Sequence, residues 1–280
     1  LARIAECPIV YLPLGLCEPH GHGAALGLDL LKAEALCVAA ARRFGGVVAP
    51  SQGYHIHETG YHARWLEEVV GEVNPRMTVV PPHVFLHFFL YQLRAFHNAG
   101  FAGTIALTGH SGGNEKDLRL AASSFMLQSS MSVVAVADSE LVAGQFSGDH
   151  AGCFELSQLM AIRPDLVDKS RLGRAWQHTV SANLGRFAQG EDADAASQEL
   201  GLRIVEASVE RLGAIACETL SAQKLQALEQ RPRLGYAEVE AAWARVLEQR
   251  RAWVTESPMP GQAPVTQGSQ WKPLELAPDP

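Results

Sequence analysis

The stretch Gly103–Asn114, GTIALTGHSGGN, reads as a strand over Gly103–Thr108 that runs into the glycine-rich turn GHSGGN, with a helix starting near Glu115. The same grammar precedes and follows it. Pro8–Leu14 (PIVYLPL) is a short β-type run that stops at Gly15 and opens the polar loop EPHGHGAALGLD. Leu30–Phe44 (LLKAEALCVAAARRF) is helical, with Asp29 placed as its N-cap and Gly45-Gly46 as its stop. Val47–Pro50 is a second apolar run, followed by a His-rich loop, SQGYHIHETGYH. Val84–His97 (VFLHFFLYQLRAFH) is an amphipathic helix ended by Asn98-Ala99-Gly100, and Ser132–Ala137 (SVVAVA) is a buried strand. Repeated strand, loop and helix predict an α/β fold with a mostly parallel central sheet flanked by helices. In such sheets ligands bind beyond the carboxyl ends of the strands, where these polar loops fall.

After Ala161 the pattern turns mainly helical. A polar stretch at Gln189–Ser197 opens the helix ELGLRIVEASVERLG. One domain over residues 1–255 is expected, followed by a Pro- and Gln-rich tail over 256–280 that is irregular or poorly ordered. There is no internal repeat.

Composition bounds the function. The 280 residues are 47% hydrophobic and 19% charged, with mean hydropathy near zero, enough apolar mass for a large core. The net charge of −7 and the absence of basic runs longer than a pair exclude nucleic acid as the main partner. Five scattered cysteines without a C-x-x-C pair suggest neither a disulfide framework nor a zinc knuckle, and fit a cytoplasmic protein. No apolar run is long enough to span a bilayer, and the first residues do not read as a secretion signal. The sequence opens on Leu1 rather than Met, so a short preceding leader or tag is expected.

Three polar clusters carry candidate chemistry. Glu18 and His20 flank one residue just after a strand, and Asp29 follows at the mouth of the next helix. Alternate residues on extended backbone point the same way, so Glu18 and His20 can face one site. Two carboxylates and an imidazole suit zinc, manganese or iron, although an isolated E-x-H is more often a hydrogen-bonded loop. His110 sits among glycines at a strand end, where the missing side chains leave room for close approach to an ion. Glycine-rich turns also bind phosphate, but the Lys-Ser/Thr of a P-loop is absent. His150 and Glu155 form the third cluster, in which Glu155 reads equally as a ligand or a helix-capping carboxylate.

Taken in order, EPHGHGAALGLD, TGHSGGN and DHAGCFELS with LMAIRPDLVD resemble the creatininase family, whose motifs are E-Q-H-G…D, N-G-H-G-G-N and H-A-G-x-x-E-T-S. The resemblance runs from about Leu12 to Asp168, with a weaker echo in GEDADAASQELG at Gly190–Gly201. It implies two divalent ions (Zn, Mn or Fe), one held by Glu18, Asp29 and His110, the other by His20, Asp29 and Glu155, with Asp29 bridging. Two ions about 3.5 to 4 Å apart lower the pKa of a shared water and polarise the attacked carbonyl. His150 would be the general acid or base, or a donor to the oxyanion. The implied reaction is hydrolysis of a small cyclic amide or formamide-type C–N bond. Relatives also resemble hydrolases that open keto-sugar or inosose rings at a C–C bond, and peptide-trimming enzymes. A homo-oligomer, commonly a hexamer, is implied by resemblance alone.

The departures bear on the substrate. Ser111-Gly112-Gly113 stands where creatinine hydrolases resemble N-G-H-Y-E-N, whose Glu adds a ligand, and Phe146 stands where they carry Trp. Creatinine is therefore not the expected substrate. His55, His57 and Phe146 are the candidate substrate contacts. His83, His87 and His97 are expected to pack around an aromatic helix. A metal-binding scaffold without turnover is the non-enzymatic alternative, and the presence of His150 beside all five ligands argues against it. A phosphohydrolase would want an Arg or Lys to clamp the anion, and the three motif loops contain none.

Overall fold

The computed structural model describes residues 2–57, 59–69, 77–148, 150–172, 188–222 and 232–274. Asp149 and residues 275–280 of the expected tail lie outside them. Four parallel strands, β1 (Ile9–Leu14), β2 (Val47–Val48), β3 (Gly103–Thr108) and β4 (Ser132–Ala137), form one sheet in the order β2-β1-β3-β4. The expected parallel sheet is present, with its second strand cut to two residues. Leu14 pairs with Thr108 and Thr108 with Ala137, so three strands end level and release their loops at one edge.

Alternation along the strands divides the core. Val10, Leu12, Leu14 and Ala106 face α4 (Pro82–Ala99), α5 (Asn114–Met126) and α9 (Tyr236–Glu248). Ile9, Tyr11, Ile105 and Leu107 face α2 (Leu28–Phe44) and α8 (Gln198–Ala222). Chain order explains the crevice. From β1 the chain moves to one side for β2 and then to the other for β3, and the loops after β1 and β3 diverge at this switch point. Of the remaining helices, α1 (Ala2–Glu6) precedes the sheet and α3 (Ala63–Val69) follows the second loop. The short α6 (Asp138–Leu141) continues from β4, and α7 (Cys153–Ile162) carries Glu155 in its first turn.

Helix α2 buries Leu28, Asp29, Lys32, Ala33, Leu36, Cys37 and Ala40, the three- and four-residue spacing of one helical face. Its start corrects the sequence reading: Gly27 is the N-cap, and Asp29 lies inside the first turn with no capping hydrogen bond. The carboxylate is thereby turned from the backbone toward the crevice. Residues 253–274 have only turns and bends, so the described part of the tail, 256–274, is irregular, and with Trp271 buried it is packed rather than poorly ordered. Among the described residues no helix is long and apolar enough to cross a membrane.

Candidate metal centre

Glu18, His20, Asp29, His110 and Glu155 come from four separate loops or helix starts and meet, buried, beyond the carboxyl ends of β1, β3 and β4. The loop after β1 is closed at its base by the Glu18 N–H donating to Leu26 O at 2.9 Å. Gly109 brings the loop after β3 against α2, because a Cβ there would lie 2.0 Å from Asp29 O. No other residue allows that approach, and it is what sets His110 beside Asp29.

His110 Nδ1 lies 2.8 Å from Glu18 Oε1 and 3.6 Å from Asp29 Oδ2. His20 Nε2 lies 3.2 Å from Asp29 Oδ1 and 3.7 Å from Glu155 Oε2. Asp29 thus offers one oxygen to each side. Ligand atoms at about 2.1 Å from a shared ion are themselves about 3 to 3.5 Å apart, so these spacings fit two ion sites. The donor set tests the fit further. His20 Nδ1–H donates to Glu18 O at 3.0 Å, which leaves Nε2 as the lone-pair nitrogen. With His20 Nε2 as a lone-pair nitrogen, it and both Asp29 oxygens are buried without a hydrogen-bond donor, a costly arrangement in a protein interior unless a proton or a cation lies between them.

The protein surrounds this centre with fixed charge. Lys32, fully buried one helical turn after Asp29, lies 2.5 Å from Glu155 Oε1 and 3.1 Å from Asp138 Oδ2. Glu155 Oε2 accepts the Ala151 N–H at 2.8 Å, just outside α7, whose N-cap Gly152 has no side-chain capping bond, so Glu155 steadies the preceding turn and does not cap the helix. Although burial pushes Glu155 up, Lys32 and the neighbouring imidazoles hold it down to about 2. Burial likewise opposes ionisation of Glu18, and His110 and His150, with hydrogen bonds from His110 and His57, hold it well below the usual carboxylate range. In the ion-free site burial would lower His20, but Asp29, Glu155 and Glu18 raise it to about 9. An arriving cation would therefore displace a proton.

A cavity of about 520 Å³ opens over these residues, lined by Glu18, His110, His150, Trp65, Ser139 and Gln189 among others. His150 Nε2–H donates to Pro19 O at 2.8 Å, and its Nδ1 faces Glu18 Oε1 at 3.7 Å and Glu155 Oε2 at 3.9 Å. With Glu18 and His20 it makes a third cluster able to hold an ion. The candidate substrate contacts divide. His57 lines the cavity and donates from Nε2 to Glu18 Oε2 at 3.2 Å. His55 is instead enclosed in a network with Thr108 Oγ1 at 3.1 Å and Asn114 Nδ2 at 2.9 Å, beneath the His110 turn. Phe146 packs against the core beside α8, with the Arg203 guanidinium 5.6 Å above its ring, and does not line the cavity.

Lys32, Asp138, Trp65 and Trp271 escaped the sequence reading. Lys32 and Asp29 fall on the otherwise apolar stripe of α2, a signal that could have been read. Asp138 is the first residue after β4, another readable position. Trp271 reaches the site by a route that no local pattern announces.

The fold and this cluster define an α/β protein with paired imidazole–carboxylate sites at the switch point of a parallel sheet. Residues 1–216 match the family model for creatininase, creatinine amidohydrolase, and the chain belongs to that family. A solved creatinine amidohydrolase (creatininase) is 24% identical, with TM-score 0.63, the match covering 78% of this chain and 93% of that one. A manganese form of creatininase gives the same figures. A putative creatinine amidohydrolase from Bacteroides fragilis NCTC 9343 is 22% identical, with TM-score 0.61, over 79% of this chain and 92% of its own. These structures share the fold. No curated protein matches the chain.

Proposed function

We propose that the chain is a hydrolase that uses two divalent metal ions, Zn, Mn or Fe, on a small cyclic amide or formamide-type C–N bond. The carrying observation is Asp29, whose two buried, unpartnered oxygens face His110 on one side and His20 on the other. Glu18, Asp29 and His110 would hold one ion, and His20, Asp29 and Glu155 the other. Bound there, the ions would lower the pKa of a shared water and polarise the attacked carbonyl.

The chain's own residues supply the rest. His150, with Nε2–H committed to Pro19 O, offers a basic Nδ1 toward the site. That tautomer suits accepting a proton and passing it to the leaving nitrogen, and disfavours the neutral oxyanion donor. His57 holds Glu18 Oε2 and leaves Oε1 facing the centre. Trp65 lies edge-on to His150, with centroids 6.2 Å apart, and gives the cavity an apolar wall. Among the described residues no Lys or Arg lines the cavity, whereas Glu191 and Asp138 do, which favours a neutral or cationic substrate over a phosphate ester. Paired Ser111 and Ser139 hydroxyls, 3.0 Å apart, keep a hydroxylated ring substrate, cleaved at a C–C bond, as the second reading.

Elemental analysis of the purified protein and its Asp29→Ala variant tests the proposal. Two divalent ions per chain, lost in the variant, are expected. A wild type that stays ion-free after dialysis against Zn, Mn and Fe would overturn it. Lactams, formamides and keto-inositols then form the assay panel. Sedimentation would test the homo-oligomer, a hexamer, that family resemblance suggests.

A further inference from the structure

Residues 253–274 run as a strap behind the segment 57–67, which supplies His57, His62 and Trp65 to the cavity, and lie beyond the segment that the family model matches. Buried Asp117 on α5 anchors one end, accepting the Val254 N–H at 2.8 Å, the Thr255 N–H at 3.1 Å and the Thr255 hydroxyl at 2.5 Å. The strap then grips the segment that carries His62 and Trp65. Met259 N–H donates to Tyr61 O at 3.3 Å and Gln262 Nε2 to Gly60 O at 2.7 Å. Thr266 donates to Glu67 Oε1 from both N–H and hydroxyl, at 2.8 and 2.6 Å. Gly60, at φ 89°, admits the strap where a Cβ would meet Glu256 O at 2.1 Å.

At the far end Trp271, only 3% exposed, packs with Ala63 and Leu66 of α3, and its ring centroid lies 5.8 Å from that of His57. His57 in turn donates to Glu18. A carboxylate can only accept, so His57 Nε2 must carry the proton, and the ring must stay in one plane to keep it there. His57 has His110 on one side, at 4.8 Å between centroids, and Trp271 on another.

We infer that the strap is a working part of the site and that Trp271 is a positioning residue, which holds His57 on Glu18 Oε2 so that Oε1 faces the ion. This rests on the reading of Glu18 as a metal ligand. Partners that orient a ligand typically change metal affinity about 10- to 100-fold when removed. Trp271 acts one step further out, so the low end of that range is expected.

The test uses the full chain and Mn²⁺ alone as probe. Isothermal titration is run on wild type, Trp271→Ala, Trp271→Phe and Leu274→Ala, the last an exposed strap residue as control. Amide hydrogen exchange over residues 57–69 is followed with and without Mn²⁺. Trp271→Ala is expected to weaken one of the two ions about tenfold and spare the other. Trp271→Phe restores most of the loss, Leu274→Ala changes nothing, and exchange at 57–69 rises in Trp271→Ala alone. A folded Trp271→Ala that binds both ions like wild type overturns the inference. If wild type takes up no ion, the metal reading fails by itself, and exchange decides the strap: unchanged protection at 57–69 overturns it, faster exchange supports it. Should Trp271→Ala not fold, Gln262→Ala removes one strap hydrogen bond and is read the same way.

Discussion

The inner and outer halves of the cavity are built by opposite means. The inner half, with Glu18, Asp29, His110 and Glu155, hangs from strand ends and helix starts whose backbones are fixed by the sheet. The outer half, with His62 and Trp65, stands on a loop and the short α3, which the irregular strap ties down by scattered hydrogen bonds over long chain separations. The residues that could hold ions thus sit where the backbone has least freedom, and the outer wall where change is tolerated, the division expected if the first do chemistry and the second selects substrate.

If that division is right, damage to the inner half should be the more severe. Asp29→Ala should lose both ions and lower activity about a hundred- to a thousandfold, the effect of disabling a group that stabilises the transition state. Retention of one ion at full occupancy would mean that Asp29 does not bridge. Next comes Lys32→Met, which leaves Asp138 and Glu155 without their shared cation and should cost about 3 to 5 kcal/mol of stability. Denaturant titration measures it. Added divalent ion should recover part of the loss, since it meets the same carboxylates, and no recovery would separate Lys32 from the centre.

The outer half should answer to pH through its anchor. Burial pushes Asp117 up to about 6, against the hydrogen bonds from Thr255 and Val254. The folded chain then takes up a proton near pH 6 that the unfolded chain takes up only near the ordinary carboxylate value. This group's contribution to stability therefore grows as pH falls through 6 toward that value and is lost as pH rises. Asp117→Asn should remove that dependence, so wild type should gain stability relative to the variant between pH 7 and pH 5 in paired denaturation curves. An identical pH profile for the two proteins would rule the anchor out. Smallest is Phe146→Leu, a core substitution expected to cost under about 1.5 kcal/mol with the KM for any substrate found left unchanged. A large rise in KM would return Phe146 to the substrate wall.

The same division decided how much could be read beforehand. The parallel sheet and the three motif loops follow from patterns within about ten residues, and Glu18, His20, Asp29, His110 and Glu155 were all legible there. Asp29 was assigned the wrong local role, because an acidic residue just before a helical run looks like a cap whether or not it acts as one. His55 and His57 lie two residues apart, where regular alternation would put both on one face, but the loop backbone is irregular there and sends one beneath the His110 turn and the other to the cavity. Sequence alone does not tell which goes where. Phe146 was placed by motif position, but it follows a loop that turns its ring into the core. Trp271 depends on contacts that no local pattern encodes.

The strap also has a bearing on the order in which the molecule is assembled. Gln262 meets Gly60 across 202 residues of chain, whereas His110 meets Glu18 across 92. Closing the longer loop costs only about 0.7 kcal/mol more in chain entropy, so the fold tolerates it at equilibrium. Kinetically the difference weighs more, because contacts of shorter span form first as a rule. A refolding chain would gather its carboxylates and imidazoles while the segment carrying His57 and Trp65 was still untied, and the last event would be the latch.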